Sequence, residues 1–126
     1  MKYSITIDNK LKIIRYEHRG TLIAEEIGEV WEQLLCMKEF TELKYNLFSD
    51  YRKAKFDIGT EFLPVLIDFM HNIKDIVNGK KQCLIVDEPF TTAAAILFEN
   101  EVNKKVGFNV KVFSTEEAAM QWLIYS

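Results

Sequence analysis

Few residues in this chain can do chemistry at neutral pH. The 126 residues include two histidines, His18 and His71, and two cysteines, Cys36 and Cys83. No Cys/His spacing matches a zinc site. No Gly-rich loop follows a strand to cradle a phosphate. The cysteines stand far apart, one on an expected helix and one in an expected strand, and both read as reduced core thiols. Basic residues are also short: 16 Lys and Arg stand against 19 Asp and Glu, a net charge of −3 with a pI near 5.4. That balance excludes the basic footprint nucleic acid requires. No apolar run approaches the roughly 20 residues of a bilayer span. The opening MKYSITIDNK alternates and has no signal-peptide core, so a cytoplasmic chain is expected. With only 5 Gly and 2 Pro there is no linker, and no repeat appears. Residues 1–126 read as one domain.

What is present is apolar: 48% of residues are hydrophobic and 13% aromatic. The run Gln82 to Pro89 (QCLIVDEP) organises the rest. Cys83, Leu84, Ile85 and Val86 show no alternation, the mark of a strand covered on both faces. Asp87 and Glu88 turn polar, and Pro89 cannot donate to a ladder, so the strand stops. A helix over Phe90–Lys105 follows, with Thr91 or Thr92 as its cap and Ala94, Leu97, Phe98 and Val102 on its buried side.

Upstream, Lys2–Ile7 alternates as a half-buried strand. Asp8, Asn9 and Lys10 turn the chain into a second strand, Leu11–Arg19, forming an antiparallel hairpin. Gly20 ends it and Thr21 can cap the next helix. Ile23, Ile27, Val30, Trp31 and Leu34 give that helix an apolar stripe to about Lys38. Its Glu25, Glu26, Glu29 and Glu32 read as a solvated face. Lys44–Asp50 is a third strand, and Tyr51–Thr60 reads as a polar, basic loop. Phe62, Leu66, Phe69, Ile73 and Ile76, widened by Leu63, Met70 and Val77, predict one helix ended by Asn78 and Gly79. Asn109–Phe113 is a fifth strand, and Ser114 to Glu117 forms a capping box with Ser at the N-cap. The last helix packs with Ala118, Ala119, Trp122 and Leu123.

The order β-β-α-β-α-β-α-β-α predicts an α/β fold. Its mixed, mostly parallel five-stranded sheet has the first strand as an antiparallel edge and sequence neighbours side by side. This layout resembles the SpoIIAA-like family, relatives of STAS domains. The resemblance rests on the hairpin with Gly20, the strand ending at Asp50, the QCLIVDEP strand, and the closing Val112-Phe113-Ser114, Glu117-Ala118 and Trp122-Leu123. It implies partner binding rather than catalysis. Antagonists of anti-sigma factors in that family carry a phosphorylatable Ser in an Asp-Ser-Ser/Thr-Gly-type turn. Here Asp50-Tyr51-Arg52-Lys53 stands in its place. Related CRAL-TRIO folds hold lipids in an apolar pocket, and some such chains are named STAS/SEC14-like.

Ligands of open α/β sheets sit beyond the carboxyl ends of the strands. That places a candidate rim at Asp50, Tyr51, Arg52, Lys53, Thr60, Asp87, Glu88 and Thr91, with helix N-termini that favour anions. His18 and His71 read as structural or surface residues, and Trp31 and Trp122 as core anchors. No catalytic or metal-ligating set is found and no cofactor is expected. The leading reading is a non-enzymatic domain that binds a protein partner. The alternative is a carrier or sensor of a small apolar ligand or lipid, held against the helix from Phe62 to Val77. Hydrolysis comes third. Partners that fit are a protein, a small apolar or anionic ligand, or a second copy in a homodimer.

Overall fold

The computed structural model describes residues 2–125. In chain order the elements are β1 (Tyr3–Asp8), β2 (Ile13–Leu22), α1 (Ala24–Leu35), α2 (Lys38–Thr41), β3 (Asn46–Phe56), α3 (Phe62–Asn72), α4 (Lys74–Val77), β4 (Lys81–Ile85), α5 (Pro89–Lys105), β5 (Asn109–Phe113) and α6 (Glu116–Tyr125). The five strands lie in sequence order, β1-β2-β3-β4-β5. β1 is antiparallel to β2, and every later pair is parallel. The expected mixed sheet with an antiparallel first edge is therefore present.

Parallel strands laid down in one direction, joined by crossovers of one hand, put every connection on one face. The core shows this result. α1 to α5 bury Trp31, Phe40, Met70, Val77, Phe98 and Val102 against Ile14, Tyr16, Leu47, Leu84 and Val110 of the sheet. On the opposite face α6 sets Ala119 and Leu123 on Ile13, Phe48, Cys83 and Ile85. Two covered faces explain the unbroken apolar run: Cys83, Leu84, Ile85 and Val86 are 0, 4, 0 and 2% exposed.

Several local expectations are corrected. The stretch Tyr51–Thr60 is not all loop, since β3 continues to Phe56. Arg19 to Leu22 pair with Lys53 to Phe56, so β2 also runs through Gly20, which adopts φ +78° inside the strand. Backbone pairing outweighs the polarity of the segment. α1 begins only at Ala24. Its cap is not Thr21: the Glu26 carboxylate accepts from the Ile23 N–H at 3.0 Å. The Phe62–Val77 helix is broken at Ile73 (φ −112°, ψ 20°) into α3 and α4. α5 is capped by Glu88, which accepts from the N–H groups of Phe90 and Thr91, not by Thr91 or Thr92. Leu97 is exposed, and Ala95 takes the buried position instead. Thr115, not Ser114, caps α6 by accepting from Ala118 N–H at 3.2 Å. Cys36, at the end of α1, is exposed, so only Cys83 is a core thiol.

Candidate functional site

Between α1, α3, α5 and the carboxyl ends of β3 and β4 lies a cavity of about 230 Å³. Each element contributes for a reason already visible in its pattern. α1 turns Ile27 and Trp31 inward, and α3 adds Phe62, Leu63 and Leu66. α5 brings its alanine run, Ala93 to Ala95, whose short side chains leave the space open. Tyr51 and Phe56 close the β3 side, their rings 5.1 Å apart at 88°. Ile58, Gly59 and Thr60 complete the wall. No residue lining the cavity is charged.

The sheet supplies the polar groups. Gln82 lines the cavity beside Leu84 and is 4% exposed. Its Nε2 donates to Ser49 Oγ at 3.0 Å. Burial pushes the Tyr51 phenol above its ordinary pKa, with the Ser49 side chain opposing, so it stays protonated at neutral pH. Gln82 Oε1 is buried and has no hydrogen-bond partner. Such atoms are rare, because an unpaired buried acceptor costs about 1–3 kcal/mol.

The residues expected at one rim fall into separate places. Tyr51 and Thr60 line the cavity. Asp50 and Arg52 lie on the α6 face instead. There Arg52 Nη2 meets Asp50 Oδ2 at 2.7 Å and Glu116 Oε1 at 3.1 Å, and Arg15 Nη2 meets Glu116 Oε2 at 2.7 Å. Burial raises the Asp50 pKa, but its bonds with Arg52 win and hold the carboxyl below its usual range. This network ties the first turn of α6 to β2 and β3, which is a structural task. Thr91 is fully buried, donates to Glu88 Oε2 at 2.7 Å and accepts from the Phe56 N–H at 3.3 Å. Glu88 and Thr91 thus fasten α5 to the end of β3. Lys53 and Asp87 are exposed. His18 is buried with Nδ1 2.8 Å from the Tyr16 hydroxyl, and burial lowers its pKa, so it is a neutral core residue. His71 is on the surface. Ser49, Phe56 and Gln82 were not among the expected site residues.

Comparison with protein-family models and with curated proteins finds no match. Among solved structures the chain is similar to an uncharacterised protein of the DUF3478 family with a SpoIIAA-like fold, from Shewanella loihica PV-4. The two share 14% identity at a TM-score of 0.57, over 96% of this chain and 93% of that one. This chain has a SpoIIAA-like fold.

Within that SpoIIAA-like frame the strand after which a phosphorylatable serine would stand does not stop. β3 carries Asp50-Tyr51-Arg52 on as strand, so no turn presents a hydroxyl there. Among the described residues no group of three or more His, Cys, Asp and Glu side chains could hold a metal. No helix among them is long and apolar enough to cross a membrane.

Proposed function

We propose that this SpoIIAA-like domain binds a small, mainly apolar molecule between α1, α3 and α5, as a non-enzymatic carrier or sensor. The observation that supports it is the cavity itself: about 230 Å³, walled mainly by aromatic and aliphatic side chains, with the polar groups of Tyr51, Thr60 and Gln82 among them. Binding sites have this composition, though drug-sized ligands occupy about 300–1,000 Å³. A dry cavity of about 150 Å³ takes up benzene, so the ligand here is somewhat larger than one aromatic ring. The lining offers no acid–base pair, which favours holding over turnover.

A second reading, regulation through a protein partner, draws support from Phe90 and Leu97. Both line the cavity, yet they are 52% and 54% exposed. Apolar surface at the edge of a ligand site is where occupancy could be reported to a partner.

Equilibrium dialysis against 2-methylnaphthalene tests the first reading. The wild type is expected to retain the hydrocarbon. Ala94→Phe, which fills the cavity from α5, is expected to lose it while keeping its circular dichroism spectrum. No retention by the wild type, or equal retention by both, refutes the reading.

A further inference from the structure

The cavity carries more than apolar walls, and the carboxamide of Gln82 narrows the ligand class. Gln82 is bonded to Ser49 through one end of its carboxamide, and the other end is unpaired. We propose that the ligand is a neutral molecule with an apolar body and one hydroxyl, and that this hydroxyl pairs with the Gln82 carboxamide. The proposal rests on the reading of the cavity as a ligand site.

Three observations select a hydroxyl. First, as oriented, the free end of Gln82 is Oε1, an acceptor that needs a donor. Turned over, the carboxamide would accept from Ser49 and leave its NH₂ unpaired, needing an acceptor. A hydroxyl serves both orientations. A ketone or ether serves one only. Second, no lining residue is charged, so a carboxylate or ammonium would be buried without a counter-ion. Third, the Ser49 hydroxyl is already engaged, accepting from Gln82 Nε2 at 3.0 Å. The site therefore has room for one polar group and a preference for where it lies.

The test compares three probes of nearly equal shape: 2-naphthol, 2-methylnaphthalene and 2-naphthoate, each in equilibrium dialysis at pH 7. The wild type is expected to bind 2-naphthol about fivefold or more tightly than 2-methylnaphthalene, a typical effect of one buried hydrogen bond. 2-Naphthoate is expected to bind weakest. Gln82→Met keeps the length of the side chain and removes both polar ends. It is expected to abolish or invert the preference for 2-naphthol while still retaining 2-methylnaphthalene. Equal binding of naphthol and hydrocarbon by the wild type overturns the hydroxyl assignment and leaves the apolar site standing. Binding of none of the three overturns both. Tightest binding of 2-naphthoate overturns the neutral class, and an unchanged preference in Gln82→Met places the hydroxyl elsewhere. The wild-type comparison decides the matter even if the variant does not fold.

Discussion

Gln82→Met is expected to make the ligand-free protein more stable, although it removes a hydrogen-bonding side chain from the core. Two contributions oppose each other. Losing Oε1 relieves a buried acceptor that has no partner, a gain of about 1–3 kcal/mol. Losing Nε2 removes its 3.0 Å bond to Ser49, at a cost of about 0.5–1.5 kcal/mol. Methionine is unbranched and adaptable, so the packing change is small. The net is a stabilisation of about 1 kcal/mol, or roughly 4 °C in Tm for a domain of this size. Ser49→Ala removes the other partner of the Gln82–Ser49 bond and should have the opposite sign. It leaves Gln82 Nε2 unpaired beside the already unpaired Oε1, and a loss of about 2 kcal/mol is expected. Urea and thermal melts of protein stripped of bound molecules measure both, since a bound ligand would add its own stabilisation. If Gln82→Met lowers stability by about 1 kcal/mol or more, Oε1 is paired in solution and the reasoning fails. A gain would fit a polar group kept for function at a cost in stability.

Three further outcomes are expected. In the native protein a thiol reagent should label Cys36 alone, while Cys83, its pKa pushed up to about 12 by burial, should react only on unfolding; labelling at both sites under native conditions contradicts the core placement. Lys80 is buried with its ammonium on the Phe40 carbonyl, and burial first, then Lys44, lowers its pKa from 10.5 to about 8. Between those values the unfolded chain binds the extra proton, so this group makes stability rise with pH from about 8 to about 10. Relative to Lys80→Met, the wild type should gain at most about 3 kcal/mol across that window by urea melts at each pH, and a flat difference refutes the shift. Last, the paired change Lys53→Ala and Lys55→Ala should alter stability by less than about 0.5 kcal/mol. Arg52→Ala should cost about 1 kcal/mol, because its partners Asp50 and Glu116 are only partly exposed; equal costs would show that the ion network does not hold α6.

The sheet was legible because its evidence is local. An unalternating run marks a doubly covered strand, and a chain of strand–helix units orders itself. The errors fall where distant pairing decides. Lys53-Ala54-Lys55-Phe56 does alternate, but its charge hid a strand whose stability comes from pairing with Gly20 to Leu22. The break at Ile73 leaves no breaker residue in the sequence to mark it. Cys36 looked buried because cysteine usually is, yet it sits one residue past the end of α1. Of the residues expected at the rim by the rule that ligands lie beyond strand ends, Tyr51 and Thr60 line the cavity. Gln82 shares the face of Leu84 and Val86, and Ser49 that of Leu47, so each is a polar residue in a core stripe. That signal was present. Their meeting was not, because the bond between them depends on the register of β3 against β4.

That register also explains why Asp50 and Arg52 matter to a cavity they do not line. Tyr51 and Phe56 are five residues apart, so a regular strand would place them on opposite faces. The pairing passes from Glu17 opposite Asp50 to Arg19 opposite Lys53, so β3 spends three residues where β2 spends two. The extra residue is a bulge, and it shifts the phase of everything after it. Ala54 and Phe56 then turn to the helical face, where Phe56 meets Tyr51 as cavity wall. A bulge frees a backbone donor, and here the Asp50 carboxylate takes it, accepting from the Arg52 N–H at 3.0 Å. The Arg52 guanidinium returns to the same carboxylate at 3.0 and 2.7 Å and reaches on to Glu116. One charged pair on the α6 face thus fixes the irregularity that points two aromatic rings into the opposite face. Two of the polar residues expected at a ligand rim thus set the phase of the strand that walls the cavity.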